Sequence, residues 1–251
     1  MTEWYLQRVT KQSGFSLAPL QAARLSVINH LGKHPRAFNR LVSFGSGRSS
    51  LVGESTDLCV EAPPGSGNSF FVVGFLMTNP GATVAHHHHV PAQVLNAARL
   101  DVPVLTILRD PIQCALSRAV PGNRPFLITT TLKRWITFWS KLEPQLSIAS
   151  PVTFEAVTSN PKSVIEAINS KYGSGFLTDF PDERAVFASI ESARLLTVGS
   201  DSRPGPNTPD IRKAEKKAVL RPVAESHPLA GPALELYQSL LGSVKEIGLK
   251  S

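Results

Sequence analysis

Leu58-Cys59-Val60-Glu61-Ala62 leads through Pro63 into Pro64-Gly65-Ser66-Gly67-Asn68-Ser69-Phe70, and an apolar run continues to Met77. The first five residues read as a short buried strand, and Phe70 to Met77 as the helix that follows it. Small residues at such a junction leave successive backbone N–H groups free to converge on an anion at the helix N-terminus. The loop is not a GxxxxGK[ST] phosphate loop, because no Lys precedes its last Ser. A tight glycine turn without a ligand is the competing reading.

Working outward, Val102-Pro103-Val104-Leu105-Thr106-Ile107-Leu108 is a second apolar run, as expected of a parallel strand buried on both faces. Arg109-Asp110-Pro111 ends it, with Pro111 placed to open a helix and Asp110 to cap it. Ser117 follows eight residues after Arg109, about two helical turns on. An Arg at a strand's end and a helix hydroxyl can meet at one anion. Strands over 57–62, 82–87 and 102–108 alternate with helices over 69–78, 91–99 and 111–119. That order predicts an α/β fold: three α/β/α layers around a mostly parallel sheet, of the P-loop nucleotide-binding type. Ligands in such sheets bind outside the carboxyl ends of the strands, where both anion motifs fall.

The flanks are less legible. Residues 1–50 offer a helix over 17–31 and a second Gly/Ser stretch at 44–50, read as a connection. Residues 127–142 read as a helix with a Trp135, Phe138 and Trp139 stripe, which fits either core packing or an apolar acceptor pocket. A strand over 152–157, helices over 161–172 (ended by Gly173) and 183–196, a Pro/Gly-rich loop over 200–221 and a closing helix over 229–247 complete the reading. The 251 residues are read as one domain with a sizeable core.

Net charge is +7, which favours polyanionic partners. Three Tyr, three Trp and no aromatic–basic alternation argue against dedicated nucleic-acid binding. No stretch approaches the roughly 18 apolar residues of a membrane span, and the N-terminus lacks a signal peptide's apolar region. A cytoplasmic location is the expectation. Cys59 and Cys114 are read as small apolar core groups.

His86-His87-His88-His89 follows the strand-like Ala82-Thr83-Val84-Ala85. Continued as a strand, it would put His87 and His89 on one face and His86 and His88 on the other. No Cys, Asp or Glu stands near in sequence to complete a metal site, and none is assigned. A neutral imidazole here suits a general base near neutral pH.

Together these segments resemble the sulfotransferase family that uses 3′-phosphoadenosine 5′-phosphosulfate (PAPS) as donor. Pro64 to Phe70 aligns without gaps with the family's Pro-Lys-Ser-Gly-Thr-Thr-Trp. Arg109, Pro111 and Ser117 reproduce its Arg-x-Pro with a Ser eight residues after the Arg. His88-His89-Val90-Pro91 is similar to Thr-His-Leu-Pro, and Val152 to Val157 to Arg-Tyr-Glu-Asp-Leu. The resemblance covers residues 56 to 176. It implies that Gly65, Ser66, Gly67, Asn68 and Ser69 hold the 5′-phosphosulfate, that Arg109 and Ser117 hold the 3′-phosphate, and that His89 is the base. Arg212 and Lys213 would correspond to the family's basic C-terminal segment, with a solvated helix start as the alternative. The partners implied are the nucleotide donor and a hydroxyl acceptor, with no metal.

One departure matters. The family has Lys or Arg where this chain has Gly65, and losing one preorganised charged donor costs a few kcal/mol of transition-state stabilisation. Arg48, Arg118 or the basic C-terminal segment are the candidate substitutes. A non-catalytic nucleotide-binding protein is therefore the alternative function, and introducing a cation at position 65 would separate the two. ATP-dependent phosphotransfer is disfavoured by the missing phosphate-loop Lys.

Overall fold

The computed structural model describes residues 18–42, 51–121, 124–198 and 211–247. Its centre is a sheet of four strands, β1 (Leu58–Glu61), β2 (Val84–His86), β3 (Val104–Leu108) and β4 (Pro151–Thr153). All pairings are parallel and the spatial order is β2-β1-β3-β4. Every residue of β1 and β3 is buried, which is why both read as unbroken apolar runs rather than as alternating ones.

Helices cover both faces: α1 (Ala18–Leu31), α2 (Pro35–Val42), α3 (Asn68–Thr78), α4 (Pro91–Arg99), α5 (Pro111–Ala119), α6 (Phe126–Leu142), α7 (Leu146–Ala149), α8 (Phe154–Ser159), α9 (Pro161–Tyr172), α10 (Glu183–Val198), α11 (Ile211–Glu225) and α12 (Ala230–Ile247). Alternation along the strands divides the core. Leu58, Val60, Leu105 and Ile107 pack with Phe71, Phe75 and Ile165 from α3 and α9. Cys59, Val104 and Leu108 face the other way, toward Val94, Leu132, Trp135 and Leu240 from α4, α6 and α12. Trp135, Phe138 and Trp139 are fully buried, so the aromatic stripe of α6 is core. Burying each such side chain contributes about 1.5–3 kcal/mol. The α/β/α layering is that expected from the sequence.

The strand expected over 152–157 is corrected. β4 stops at Thr153, whose hydroxyl accepts from Ala156 N at 3.2 Å and starts α8. The loop expected to reach 221 ends by Ile211, where α11 begins; residues 200–210 lie outside the described residues, as does the 44–50 stretch with Arg48. No helix among the described residues is long and apolar enough to cross a membrane.

The strand order places the site. From β1 the chain moves to β2 on one side, and from β3 it moves to β4 on the other. The connections leaving adjacent β1 and β3 therefore diverge, opening a crevice at their carboxyl ends. The 64–69 loop follows β1, and Arg109 follows β3.

Candidate functional site: an anion cradle beneath α5

The loop turns on two glycines in the left-handed region, Gly65 at φ 89° and Gly67 at φ 94°. Gly67 is the N-cap residue of α3, and no side chain caps that helix. Its first-turn N–H groups and the positive end of its dipole thus face the loop. The Asn68 side chain is 3% exposed, yet neither its amide nitrogen nor its oxygen has a hydrogen-bond partner. The unpaired amide nitrogen at an uncapped helix start fits a cradle whose remaining partner is an anionic ligand; the amide oxygen, an acceptor, is not satisfied by one.

α5 passes directly over this loop. A β-carbon on Gly65 would come within 2.7 Å of the Cys114 carbonyl oxygen, and Ser66 Oγ lies 3.4 Å from Cys114 Sγ. Position 65 is closed to any side chain. The absence of a cation at position 65 is therefore set by the backbone path, and a Lys introduced there would clash with α5. Ser66 is buried against the thiol, so its N–H rather than its hydroxyl is available to a ligand.

Arg109 joins the two motifs. Its Nη1 donates to Gly65 O at 2.6 Å, and its guanidinium lies 3.8 Å over the Phe154 ring. Phe154 also stands 3.0 Å from where a Gly67 β-carbon would be, so one ring backs both the loop and the arginine. Trp135 Nε1 donates to Arg109 O at 2.9 Å and fixes the backbone. Asp110 caps α5 as expected, accepting from Gln113 N at 2.8 Å. Ser117 sits two turns along α5 and is 3% exposed. Gly65 and Arg109 are brought together; Ser117 is part of the covering helix.

α11 adds positive charge. Burial lowers the Lys217 pKa, and neighbouring Arg109, Lys213 and Arg221 push it down further. Lys213 is half-buried, and the side chain of Arg212 lies outside the described residues. Cations from the end of β3 and from α11 thus converge, as expected of a site for a multiply charged anion.

The histidine run departs from its expected strand. β2 ends at His86, and His87 and His89 take φ 65° and 57°. They do not share a strand face, although their rings meet edge to face at 5.7 Å. His87 Nε2 lies 2.9 Å from Ser69 Oγ, and its Nδ1 faces His86 Nδ1. His87 is exposed at the surface, yet the protein around it, with His86 and His88 adding to the effect, lowers its pKa from the ordinary imidazole value. His89 Nδ1 lies 2.7 Å from Ala62 O; a carbonyl only accepts, so Nδ1 carries the proton and Nε2 the lone pair. Burial, then Arg134 and His87, hold His89 well below the ordinary imidazole value, hence neutral.

Sequence reasoning missed Glu61, Arg134, Phe154 and Lys217. Glu61 Oε1 and Oε2 accept from His88 N at 2.9 Å and His89 N at 2.6 Å. The available signal was a carboxylate ending an otherwise apolar strand, because a charge buried there requires partners. Compared with known proteins, the chain matches no family model, no curated protein and no solved structure.

Proposed function

We propose that this chain is a sulfotransferase that moves a sulfuryl group from PAPS to a hydroxyl acceptor. The observation that carries the reading is the Arg109–Gly65 bond of 2.6 Å at the divergence of β1 and β3. It joins the two anion motifs where nucleotides bind in such sheets. The orphaned Asn68 amide nitrogen and the uncapped start of α3 fit the donor's phosphosulfate. Arg109 has guanidinium donors left for a second phosphate, and Lys213 and Lys217 supply charge from α11.

In the proposed reaction His89 Nε2 takes the acceptor's hydroxyl proton as the acceptor oxygen attacks sulfur. The new S–O bond forms while the sulfur–phosphate oxygen bond breaks, and adenosine 3′,5′-bisphosphate leaves. A neutral imidazole is the form that can take that proton; its lowered pKa keeps it neutral and also makes it a weaker base. Charge developing on the leaving phosphate is met by the N–H groups opening α3 and by the α11 cations, in place of a lysine at position 65.

Position 65 also supports the second reading, a nucleotide-binding protein without chemistry, because the backbone there admits no cation. Incubation with radiolabelled PAPS and a panel of sugar, phenol and alkyl alcohols separates the two. Label transfer abolished by His89→Gln supports the enzyme. Donor binding with no transfer to any acceptor favours the binder.

A further inference from the structure

His88 and His89 are each held at both the backbone N–H and the backbone carbonyl. Glu61, fully buried at the end of β1, takes their N–H groups. Arg134 of α6, also buried, donates from Nη2 to their carbonyls, 3.2 Å from His88 O and 3.3 Å from His89 O. The imidazole of His89 is tied a third time, through Nδ1 to Ala62 O, one residue beyond Glu61. Non-glycine residues at φ 65° and 57° cost roughly 1 kcal/mol each and persist only where surroundings impose them. The Glu61 carboxyl group and the Arg134 guanidinium are those surroundings, the first on a central strand and the second on a long helix.

We propose that Glu61, together with Arg134, is a positioning residue for His89: a buried clamp of one carboxyl and one guanidinium group that imposes the left-handed turn and with it the direction of the Nε2 lone pair. Its catalytic meaning rests on the sulfotransferase reading above; the clamp itself does not. A merely structural ion pair would stabilise the sheet and leave the imidazole unaffected. A clamp couples its own protonation to His89, because a neutral carboxyl holds two N–H donors less firmly than a carboxylate.

Several charged and titratable groups face Glu61. Cys59 shares its face of β1, the N–H groups of His88, His89 and Val90 face it from the turn, and Arg134 faces it from α6. Arg118 of α5 faces Arg134 in turn. Burial raises Glu61 to about 8, against the pull of those N–H groups and Arg134. The clamp therefore tightens as pH rises through that value.

The experiment follows the His89 ring Hε1 resonance by NMR across that range, assigned by its loss in His89→Gln. Wild type and Glu61→Gln are compared, with adenosine 3′,5′-bisphosphate affinity measured in parallel. The clamp predicts a step in the wild-type His89 signal centred near pH 8 and none in Glu61→Gln. In a transfer assay kcat should fall on the order of 100-fold with KM for the donor unchanged. A featureless wild-type signal through that range overturns the proposal, even if the variant fails to fold. So does an identical step in Glu61→Gln. A step that needs Glu61, with no bisphosphate binding and no transfer, leaves the clamp standing and removes the sulfotransferase reading.

Discussion

Arg109 and Gly65, 44 residues apart in sequence, meet in a hydrogen bond of 2.6 Å between guanidinium and backbone carbonyl. That bond makes one site of two loops which each, alone, would be an ordinary strand–helix turn. The glycine cannot carry the charge that the arginine brings, because α5 occupies the space a side chain would need. Charge is thus delivered to the loop from the next strand and from α11.

Gly65→Ala should lower stability by about 1–3 kcal/mol, since φ 89° disfavours a β-carbon and Cys114 O lies 2.7 Å from it. Urea unfolding measures this. Gly65→Lys should lose at least as much and weaken nucleotide binding. A Gly65→Lys variant as stable as wild type with faster turnover would contradict the account of this loop.

Phe154→Ala removes the ring beneath the Arg109 guanidinium and behind Gly67. A cation–π contact of this kind is worth about 0.5–2 kcal/mol, so bisphosphate affinity should fall several-fold with little loss of fold. Calorimetric titration reads the change, and unaltered affinity would show that Phe154 only fills space.

Lys217→Ala should weaken bisphosphate binding about tenfold, or about 1.4 kcal/mol. Because the contribution is electrostatic, the salt dependence of binding should become shallower in the variant. Equal affinity at every salt concentration would place α11 outside the site.

Glu61 predicts how stability varies with pH. Its folded value of about 8 lies above the ordinary 4.5, so the folded state holds the proton more tightly. The resulting stabilisation is full below the ordinary value and is lost as pH rises through about 8, by about 1.4 kcal/mol per pH unit between the two. Glu61→Gln should remove that slope, as denaturant unfolding at a series of pH values would show; equal slopes would refute it. His89, held low, acts in the opposite sense: its contribution is present above the ordinary imidazole value and is lost as pH falls below it.

Much of the framework was legible because β1, β3, α3 and α5 are set by continuous apolar runs and by local signals such as Asp110 and Pro111. Residues 152–157 misled because Val, Thr and Phe favour strands, while the Thr153 hydroxyl and the following backbone N–H settle the matter for a helix. The histidine run misled for a reason no local pattern holds: its left-handed turn answers to Glu61, 27 residues earlier, and to Arg134, 45 residues later. Of the candidate site, the positions of the 64–69 loop after β1 and of Arg109 after β3 were readable from spacing. Phe154 and Lys217 were not, since they reach Arg109 only once β4 and α11 have packed.

The most direct test of the donor site is calorimetric titration of wild type and Arg109→Ala with adenosine 3′,5′-bisphosphate and, separately, ATP. The account predicts micromolar bisphosphate binding, much weaker ATP binding, and loss of bisphosphate affinity in a variant that still melts cooperatively. No bisphosphate binding, or equal binding of both nucleotides unaffected by Arg109→Ala, would contradict it.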